Sequence, residues 1–159
     1  MRNIVLTRVD ERLIHGQVMT SWLKLCNANV IVIIDAASAT NAFLKRILFA
    51  AAPKDVELQV MTEADAATYL KEDSPAGEKV LILSKVPQPL LQMIKSGVAI
   101  PEIVLGNMGG APGRKRFNKS ISASPEEVQA FQDLVDLGVN VYCQMVPSDS
   151  KEDVKKFLK

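Results

Sequence analysis

The sequence predicts an α/β fold in which a mostly parallel central sheet is covered by helices on both faces. Short apolar segments alternate with segments of helical periodicity along the chain. The segment Val30–Ile34 is apolar without alternation, which is typical of a strand buried on both faces of a parallel sheet. Strands and helices that alternate at this length are joined by right-handed crossovers, and such crossovers give a parallel sheet.

Each element follows from its local pattern. Residues 4–7 form a β-rich run, and the apolar residues Val18, Met19, Trp22 and Leu23 have helical spacing within a helix predicted over 16–25. After the strand at 30–34, further strands are predicted at 56–61, 80–83, 103–105 and 139–144. Further helices are predicted at 42–52, 63–71, 87–96 and 125–137, with a last helix from about residue 151. Proline at the start of a helix and glycine just beyond its end support several of these bounds.

Length and charge limit the function classes. A chain of 159 residues has the size of a single domain, and we expect residues 1–159 to form one. Nineteen Lys and Arg residues against eighteen Asp and Glu residues leave a net charge of +1, which predicts no general attraction to nucleic acid or to an anionic bilayer. We find no signal-peptide pattern and no apolar segment long enough to span a bilayer, so a cytoplasmic location is expected.

The two cysteines, Cys26 and Cys143, are far apart in apolar segments and lack metal-ligand spacing. They are expected to be small buried side chains in a reducing compartment, although one disulfide between them stays open. No cofactor and no metal ion is predicted.

The first strand leads into a loop of unusual composition. Residues 8–17 contain Arg8, Asp10, Arg12 and the chain's only histidine, His15, just before the helix that begins at Gly16. Arginine and helix N-termini both favour phosphate, and a neutral imidazole nitrogen is a nucleophile near neutral pH. The pattern therefore favours a site that accepts and releases a phosphoryl group, against the alternative of a solvated turn with a structural histidine.

Two more loops lie at the predicted carboxyl edge of the sheet, where ligands bind in this fold class. Asp35 follows the second strand, but the first loop lacks the glycine fingerprint of a dinucleotide site, so Asp35 is an edge carboxylate or a helix cap. The glycine-rich segment 106–115 includes Asn107 and Arg114, and its glycines do not have the spacing of a nucleotide P-loop. It is interpreted as an active-edge loop, a partner surface or a simple turn.

The run from Arg8 to Val18, with His15 followed by Gly16 and Gln17, closely resembles the phosphorylation signature of enzyme IIB subunits of the mannose, fructose and sorbose class. These subunits belong to the bacterial phosphoenolpyruvate-dependent sugar phosphotransferase system. Similar matches lie at Asp35, at 51–53, 106–108, 113–115 and 119–120, and at 144–147, so the resemblance covers essentially the whole chain. One departure is Ile34 before Asp35, where the family commonly has asparagine.

The resemblance implies a sheet of about six or seven strands with room for one antiparallel edge strand. It implies that His15 receives a phosphoryl group from a phosphohistidine of a IIA protein and passes it to a sugar held by IIC and IID membrane subunits. The activity implied is that of a protein-histidine:sugar phosphotransferase, peripheral to the membrane through those subunits alone. Arg8, Asp10, Arg12, Gly16 and Gln17 match the loop around the phosphorylated residue.

Two other functions stay open at this point. A regulatory binding module of similar fold would use the same phosphohistidine to signal sugar availability. A nucleotide-dependent oxidoreductase is disfavoured because both glycine fingerprints are missing. The identity of the sugar is not visible in the sequence.

Overall fold

The computed structural model describes residues 1–158, apart from the side chain of Gln17. The strands are β1 (Ile4–Asp10), β2 (Val30–Ile34), β3 (Glu57–Met61), β4 (Val80–Ser84), β5 (Glu102–Asn107), β6 (Lys115–Arg116), β7 (Ser122–Ala123), β8 (Asn140–Cys143) and β9 (Glu152–Asp153). The helices are α1 (Gly16–Cys26), α2 (Ala36–Ala39), α3 (Ala42–Ala51), α4 (Glu63–Lys71), α5 (Gln88–Lys95) and α6 (Pro125–Asp136), followed by a short 3-10 helix (Val154–Lys156).

Seven strands form the central sheet in the order β3-β2-β4-β1-β5-β8-β9. Every neighbouring pair is parallel except β8 and β9, which are antiparallel at one edge. The predicted mostly parallel α/β sheet with one antiparallel edge strand is therefore confirmed. Strands β6 and β7 form a separate antiparallel pair beyond the carboxyl end of β5, and the sequence analysis missed them.

The apolar side chains of β2 alternate between two hydrophobic clusters on opposite faces of the sheet. Val30, Val32 and Ile34 join the cluster that also contains residues of α4, α5 and α6. Ile31 and Ile33 join the cluster that contains residues of α1 and α3. Both faces of the parallel strands are therefore covered, which explains why β2 and β4 are apolar throughout.

The predicted helix from about residue 151 is wrong. Strand β9 pairs with β8 through the couples Tyr142 with Asp153 and Cys143 with Glu152, and only the 3-10 helix follows. A segment of nine residues forms a marginal helix by itself, whereas the free edge of β8 offers backbone hydrogen bonds. Buried Val154 then anchors the segment in the core.

Strand β1 lies between β4 and β5, at the topological switch point, where the strand order reverses direction across the sheet. From β1 the chain proceeds to β2 on one side, and from β4 it crosses to β5 on the other. Crevices outside the carboxyl ends of strands at such a reversal are the usual ligand sites of this fold class. The loop after β1 therefore occupies the place where a site is expected. Among the described helices, none is long and apolar enough to cross a membrane.

Candidate active site

His15 immediately precedes helix α1 and has extended backbone angles, φ −151° and ψ 117°. Its side chain forms no capping hydrogen bond with the helix, so the ring is available for other contacts. Two left-handed residues shape the loop, namely Leu13 with φ 56° and Gly16 with φ 43°. Glycine adopts this conformation without cost, but leucine loses about 1 kcal/mol or more, and such strain in a loop is typical of a functional site.

The imidazole of His15 is partly enclosed, with 19% of its side chain exposed. Its Nδ1 lies 3.0 Å from the carbonyl oxygen of Leu13, which can only accept, so Nδ1 donates this hydrogen bond. Its Nε2 is buried, 3.6 Å from Oδ2 of Asp10, and has no hydrogen-bond partner among the described residues. The ring is therefore only partly accessible, and it must reorient before its free nitrogen can face another protein.

Asp10 is fully buried and connects the two arginines of the loop. Its Oδ1 accepts hydrogen bonds from the backbone N–H of Arg12 at 3.0 Å and from Arg12 Nε at 3.2 Å. Its Oδ2 accepts from Arg12 Nη2 at 3.3 Å and from Arg8 Nη2 at 3.4 Å. This carboxylate therefore orients the loop, and two guanidiniums compensate its charge.

Arg8 has a different place from the one expected. Its side chain is fully buried and lies within β1, which extends to Asp10 and is three residues longer than predicted. Nη1 donates to the carbonyl of Gln144 at 2.9 Å and Nη2 donates to the carbonyl of Met145 at 2.7 Å. The guanidinium carbon also lies 4.8 Å from the ring centre of Trp22.

Burial lowers the pKa of Arg8 below its ordinary value, although the Asp10 carboxylate opposes the shift. The expected direct contact between Arg8 and phosphate does not fit this arrangement, because the group is enclosed and committed to backbone carbonyls. Arg8 instead holds the segment after β8 against the segment that carries His15.

Arg12 is the exposed arginine of the loop, with 40% of its side chain accessible. Asp10 holds it through Nε and Nη2, so its plane is fixed while Nη1 forms no hydrogen bond with the described residues. An oriented guanidinium beside a histidine can form bidentate hydrogen bonds to an oxyanion. Arg12 is therefore better placed than Arg8 to contact a phosphoryl group.

Glu11 joins the histidine loop to the glycine-rich segment after β5. Its Oε1 accepts from the backbone N–H of Gly109 at 2.7 Å, and its Oε2 accepts from Arg114 Nη1 at 3.0 Å. Arg114 also forms a bidentate pair with Glu127 through Nε at 2.9 Å and Nη2 at 2.8 Å. Glu127 in turn caps α6 through the backbone N–H of Ser124. These contacts form a continuous link from the histidine loop to α6.

The charges of this link stabilise one another. The hydrogen bonds that Arg114 donates to Glu127 and Glu11 raise the pKa of Arg114, against the effect of burial. For Glu127, burial raises the pKa, but the hydrogen bonds from Arg114 and Ser124 outweigh burial and leave the pKa below its ordinary value. Arg114, predicted as an active-edge candidate, therefore lies at this edge as a positioning residue.

We expect Glu11→Gln to loosen the glycine-rich segment while the chain stays folded. The amide can accept from Gly109 or from Arg114, but its own N–H group repels the Arg114 guanidinium. Since Glu11 is about one-third exposed, the loss is about 1 kcal/mol. Hydrogen exchange at the Gly109 amide should accelerate about fivefold. Glu126→Gln, at an exposed position of α6, is the matched control, and equal exchange in the two variants would contradict the link.

Asp35 lies at the carboxyl end of β2, as predicted, and caps α2. Its Oδ2 accepts from the backbone N–H of Ser38 at 3.3 Å and from the Ser38 hydroxyl at 2.5 Å. Lys85, which directly follows β4, places Nζ 3.3 Å from the same oxygen. The capping alternative therefore accounts for Asp35. Lys85 adds a half-exposed cation at this edge, and its position directly after a buried strand could have identified it.

The remaining predicted residues have simpler places. Asn107 ends β5, and its carbonyl accepts from the backbone N–H of Glu11 at 3.1 Å. Gly16 begins α1, with nothing within 4 Å of the position that a Cβ would take. The side chain of Gln17 lies outside the described part of the chain.

Sequence reasoning treated Trp22 as an ordinary core residue, and it missed the Gln144 and Met145 carbonyls. Trp22 donates from Nε1 to the carbonyl of Met145 at 3.0 Å while its ring faces Arg8. The three groups together enclose the Arg8 guanidinium. Two features of the sequence could have indicated this contact. Trp22 lies two turns into the helix after His15, and the segment 144–147 belongs to the family resemblance.

Both cysteines are free thiols, with Cys143 buried and Cys26 half-buried. Burial raises the pKa of Cys143 to about 12, with smaller contributions from Glu152 and Asp153. Neither thiol takes part in the site. Within the described residues, no group of three or more His, Cys, Asp or Glu side chains is arranged to hold a metal ion.

Comparison with known proteins gives one consistent family. A family model described as the PTS system sorbose subfamily IIB component matches residues 4–159. The sorbose-specific EIIB component of Klebsiella pneumoniae is 34% identical over 151 residues, covering 95% of this chain and 92% of that protein. The mannose-specific EIIAB component of Escherichia coli is 30% identical over 93% of this chain, which spans 46% of that protein. The crystal structure of the IIBSor domain of the sorbose permease from Klebsiella pneumoniae has a TM-score of 0.92 at 33% identity, covering 97% of this chain and 94% of that one.

Proposed function

Because this chain belongs to the sorbose-subfamily IIB components of the sugar phosphotransferase system, we propose that His15 is its phosphoryl carrier. The single observation that supports this role most strongly is the place of the ring. The only histidine of the chain lies at the surface between β1 and α1, beside an arginine that Asp10 holds in a fixed plane. A IIB component takes part in phosphotransfer, and His15 has both the chemistry and the location for it.

The donor is a phosphohistidine of a IIA protein, and the acceptor is a sugar held by IIC and IID membrane subunits. In the first step the P–N bond of the donor breaks as a P–N bond to His15 forms. In the second step the P–N bond at His15 breaks as a P–O bond to a sugar hydroxyl forms, and the hydroxyl proton is released. The mannose-specific EIIAB component, a relative whose name joins EIIA and EIIB, supports a IIA partner. This cycle acts in the cytoplasm, at the inner face of the membrane.

The residues of the loop divide the work. The His15 ring turns away from Leu13 so that a nitrogen lone pair faces the donor. Arg12 stabilises the oxygens of the phosphoryl group, and the unpaired N–H groups at the start of α1 lie next to His15. Asp10 keeps Arg12 in place, and Arg8 supports the loop from inside the fold. This assignment moves the phosphate contact from Arg8 to Arg12.

The test is phosphorylation of the chain by a phosphorylated IIA protein, followed by addition of membranes that contain the IIC and IID subunits. We expect an adduct that is stable in base and labile in acid, located in the peptide that contains His15. The label should then pass to a sugar within the reaction. An adduct on another residue would contradict the carrier role of His15. A His15 adduct that no sugar from a broad panel removes would instead favour the regulatory module.

A further inference from the structure

Helix α3 has its apolar side chains on the outside. Phe43 is 61% exposed, Ile47 and Phe49 are each 51% exposed, and Leu44 is 38% exposed. No residue of the helix is buried. A surface helix normally keeps large apolar side chains away from water, so the exposed Phe43 and Ile47, which lie one turn apart, depart from this pattern. An exposed apolar patch of this kind marks an interaction site.

Helix α3 lies on the same face of the sheet as the residues that precede His15. Leu48, on the inner side of α3, packs against the hydrophobic cluster that includes Leu13 and Ile14, the two residues before His15. Helix α3 connects β2 to its parallel neighbour β3, so it begins near the carboxyl edge of the sheet and runs back along the face. The start of α3 and His15 thus share one edge and one face of the sheet, so a protein large enough to cover this face can contact both.

The charges around the patch define the chemistry of its partner. Lys45 and Arg46 lie within α3 and Lys54 follows it, whereas α3 itself contains no Asp or Glu, and the nearest carboxylates are Asp35, which pairs with Lys85, and Asp55. The complementary surface is an apolar groove whose rim carries carboxylates. A second copy of this chain does not fit, because a two-fold contact between two α3 helices would bring like charges together.

Two membrane occupants fit less well. The cytoplasmic loops of membrane proteins carry an excess of Lys and Arg, which would repel this helix. Segments that bind anionic lipid usually have about four to eight basic residues, more than the three present here. A soluble protein with an acidic rim satisfies both the charge and the apolar surface.

We propose that α3 is the docking helix for the phosphoryl donor, which binds Phe43 and Ile47 in an apolar groove rimmed by carboxylates. This inference rests on the proposed carrier function of His15 and names the partner that the surface beside it recognises. Docking through a helix separate from the reacting loop lets the donor bind transiently without occupying the histidine itself.

The experiment compares two donors for the same histidine. One is a phosphorylated IIA protein that phosphorylates the wild-type chain, and the other is potassium phosphoramidate, which is too small to contact α3. For the double variant Phe43→Ser and Ile47→Ser, we expect the KM for the IIA protein to rise about tenfold with little change in kcat. The ratio of IIA-dependent to phosphoramidate-dependent phosphorylation should fall by the same factor.

The matched control is the double variant Leu25→Ser and Leu137→Ser. Leu25 is 63% exposed on α1, and Leu137 is 54% exposed just after α6. Its KM for the IIA protein should equal that of the wild type. Equal KM values in the α3 and control variants would overturn the proposal. Three other outcomes for the α3 variant would also overturn it, each with an unchanged KM for the IIA protein. They are loss of transfer to sugar, loss of binding to phosphatidylglycerol vesicles, and loss of a dimer in sedimentation. If neither donor phosphorylates the wild-type chain at His15, the carrier function fails first.

Discussion

We expect His15→Ala to abolish phosphoryl uptake from a phosphorylated IIA protein. No second histidine exists in the chain to take over the role, so the expected loss is on the order of a thousandfold or more, down to the background of the assay. The measurement is incorporation of labelled phosphate, quenched in base because a phosphohistidine is lost in acid. Residual incorporation at a substantial rate in His15→Ala would mean that another group accepts the phosphate.

The same substitution should leave the fold nearly unchanged. The ring contributes one hydrogen bond, from Nδ1 to the carbonyl of Leu13, and no helix cap. Its loss costs about 1 kcal/mol, which corresponds to a fall in Tm of roughly 2 to 4 °C in a chain of this size. Near-wild-type melting together with lost uptake therefore separates a chemical role of His15 from a structural one.

Arg12→Ala is expected to slow phosphoryl uptake without abolishing it. It keeps the nucleophile but removes the only guanidinium of the loop that is exposed. We expect phosphorylation of His15 to slow about a hundredfold without being abolished, since oriented charge of this kind typically contributes about 3 kcal/mol to a transfer step. A rate equal to that of the wild type would mean that the phosphoryl oxygens are stabilised by other groups, such as the N–H groups at the start of α1.

The parts of the fold that the sequence predicts are those determined by local pattern. The two-sided burial of β2 is visible as an unbroken apolar run, and helix α4 has its predicted bounds because Thr62 caps it and Lys71 ends it. Strand β9 could not be predicted in this way. It exists because β8 presents a free edge, which depends on the arrangement of the whole sheet and not on residues 151–158 themselves.

In the site, too, only the features that depend on local sequence could be predicted. The location of His15 follows from strand order and from the residues around it, but the role of Arg8 does not. Its Nη1 and Nη2 donate to carbonyls of residues 136 and 137 positions later in the chain, and nothing local indicates these two carbonyls. One local signal was available, because Arg8 and Asp10 are two residues apart and therefore share a face once β1 is extended past Thr7.

The histidine loop is thus supported from two sides by residues that do not contact phosphate. On one side Arg8 attaches it to the segment after β8, and on the other Glu11 attaches it to the glycine-rich segment through Gly109 and Arg114. A loop fixed in this way holds Arg12 in one orientation. For the proposed carrier role of His15, the ring would turn beside charge that is already oriented, which lowers the cost of each transfer step.

Gly106→Ala is expected to cause the largest loss of stability among these variants. A Cβ at this position would overlap Nη2 and Cζ of Arg8. The guanidinium cannot move aside, because the carbonyls of Gln144 and Met145 and the ring of Trp22 hold it in a fully buried position. We expect a loss of about 3 kcal/mol, or roughly 6 to 12 °C in Tm, measured by thermal and urea unfolding.

Gly110→Ala is the matched control, since it makes the same change four residues later in the glycine-rich segment, where nothing lies within 4 Å of the new carbon. It should melt close to the wild type. A double-mutant cycle then identifies the cause, because Arg8→Ala removes the group that the new methyl would strike. In that background Gly106→Ala should cost less than about 1 kcal/mol, so the coupling between the two positions is about 2 kcal/mol or more. If Gly106→Ala were as stable as Gly110→Ala, the Arg8 guanidinium would not pack against this strand, and the inner support of the histidine loop would have to be sought elsewhere.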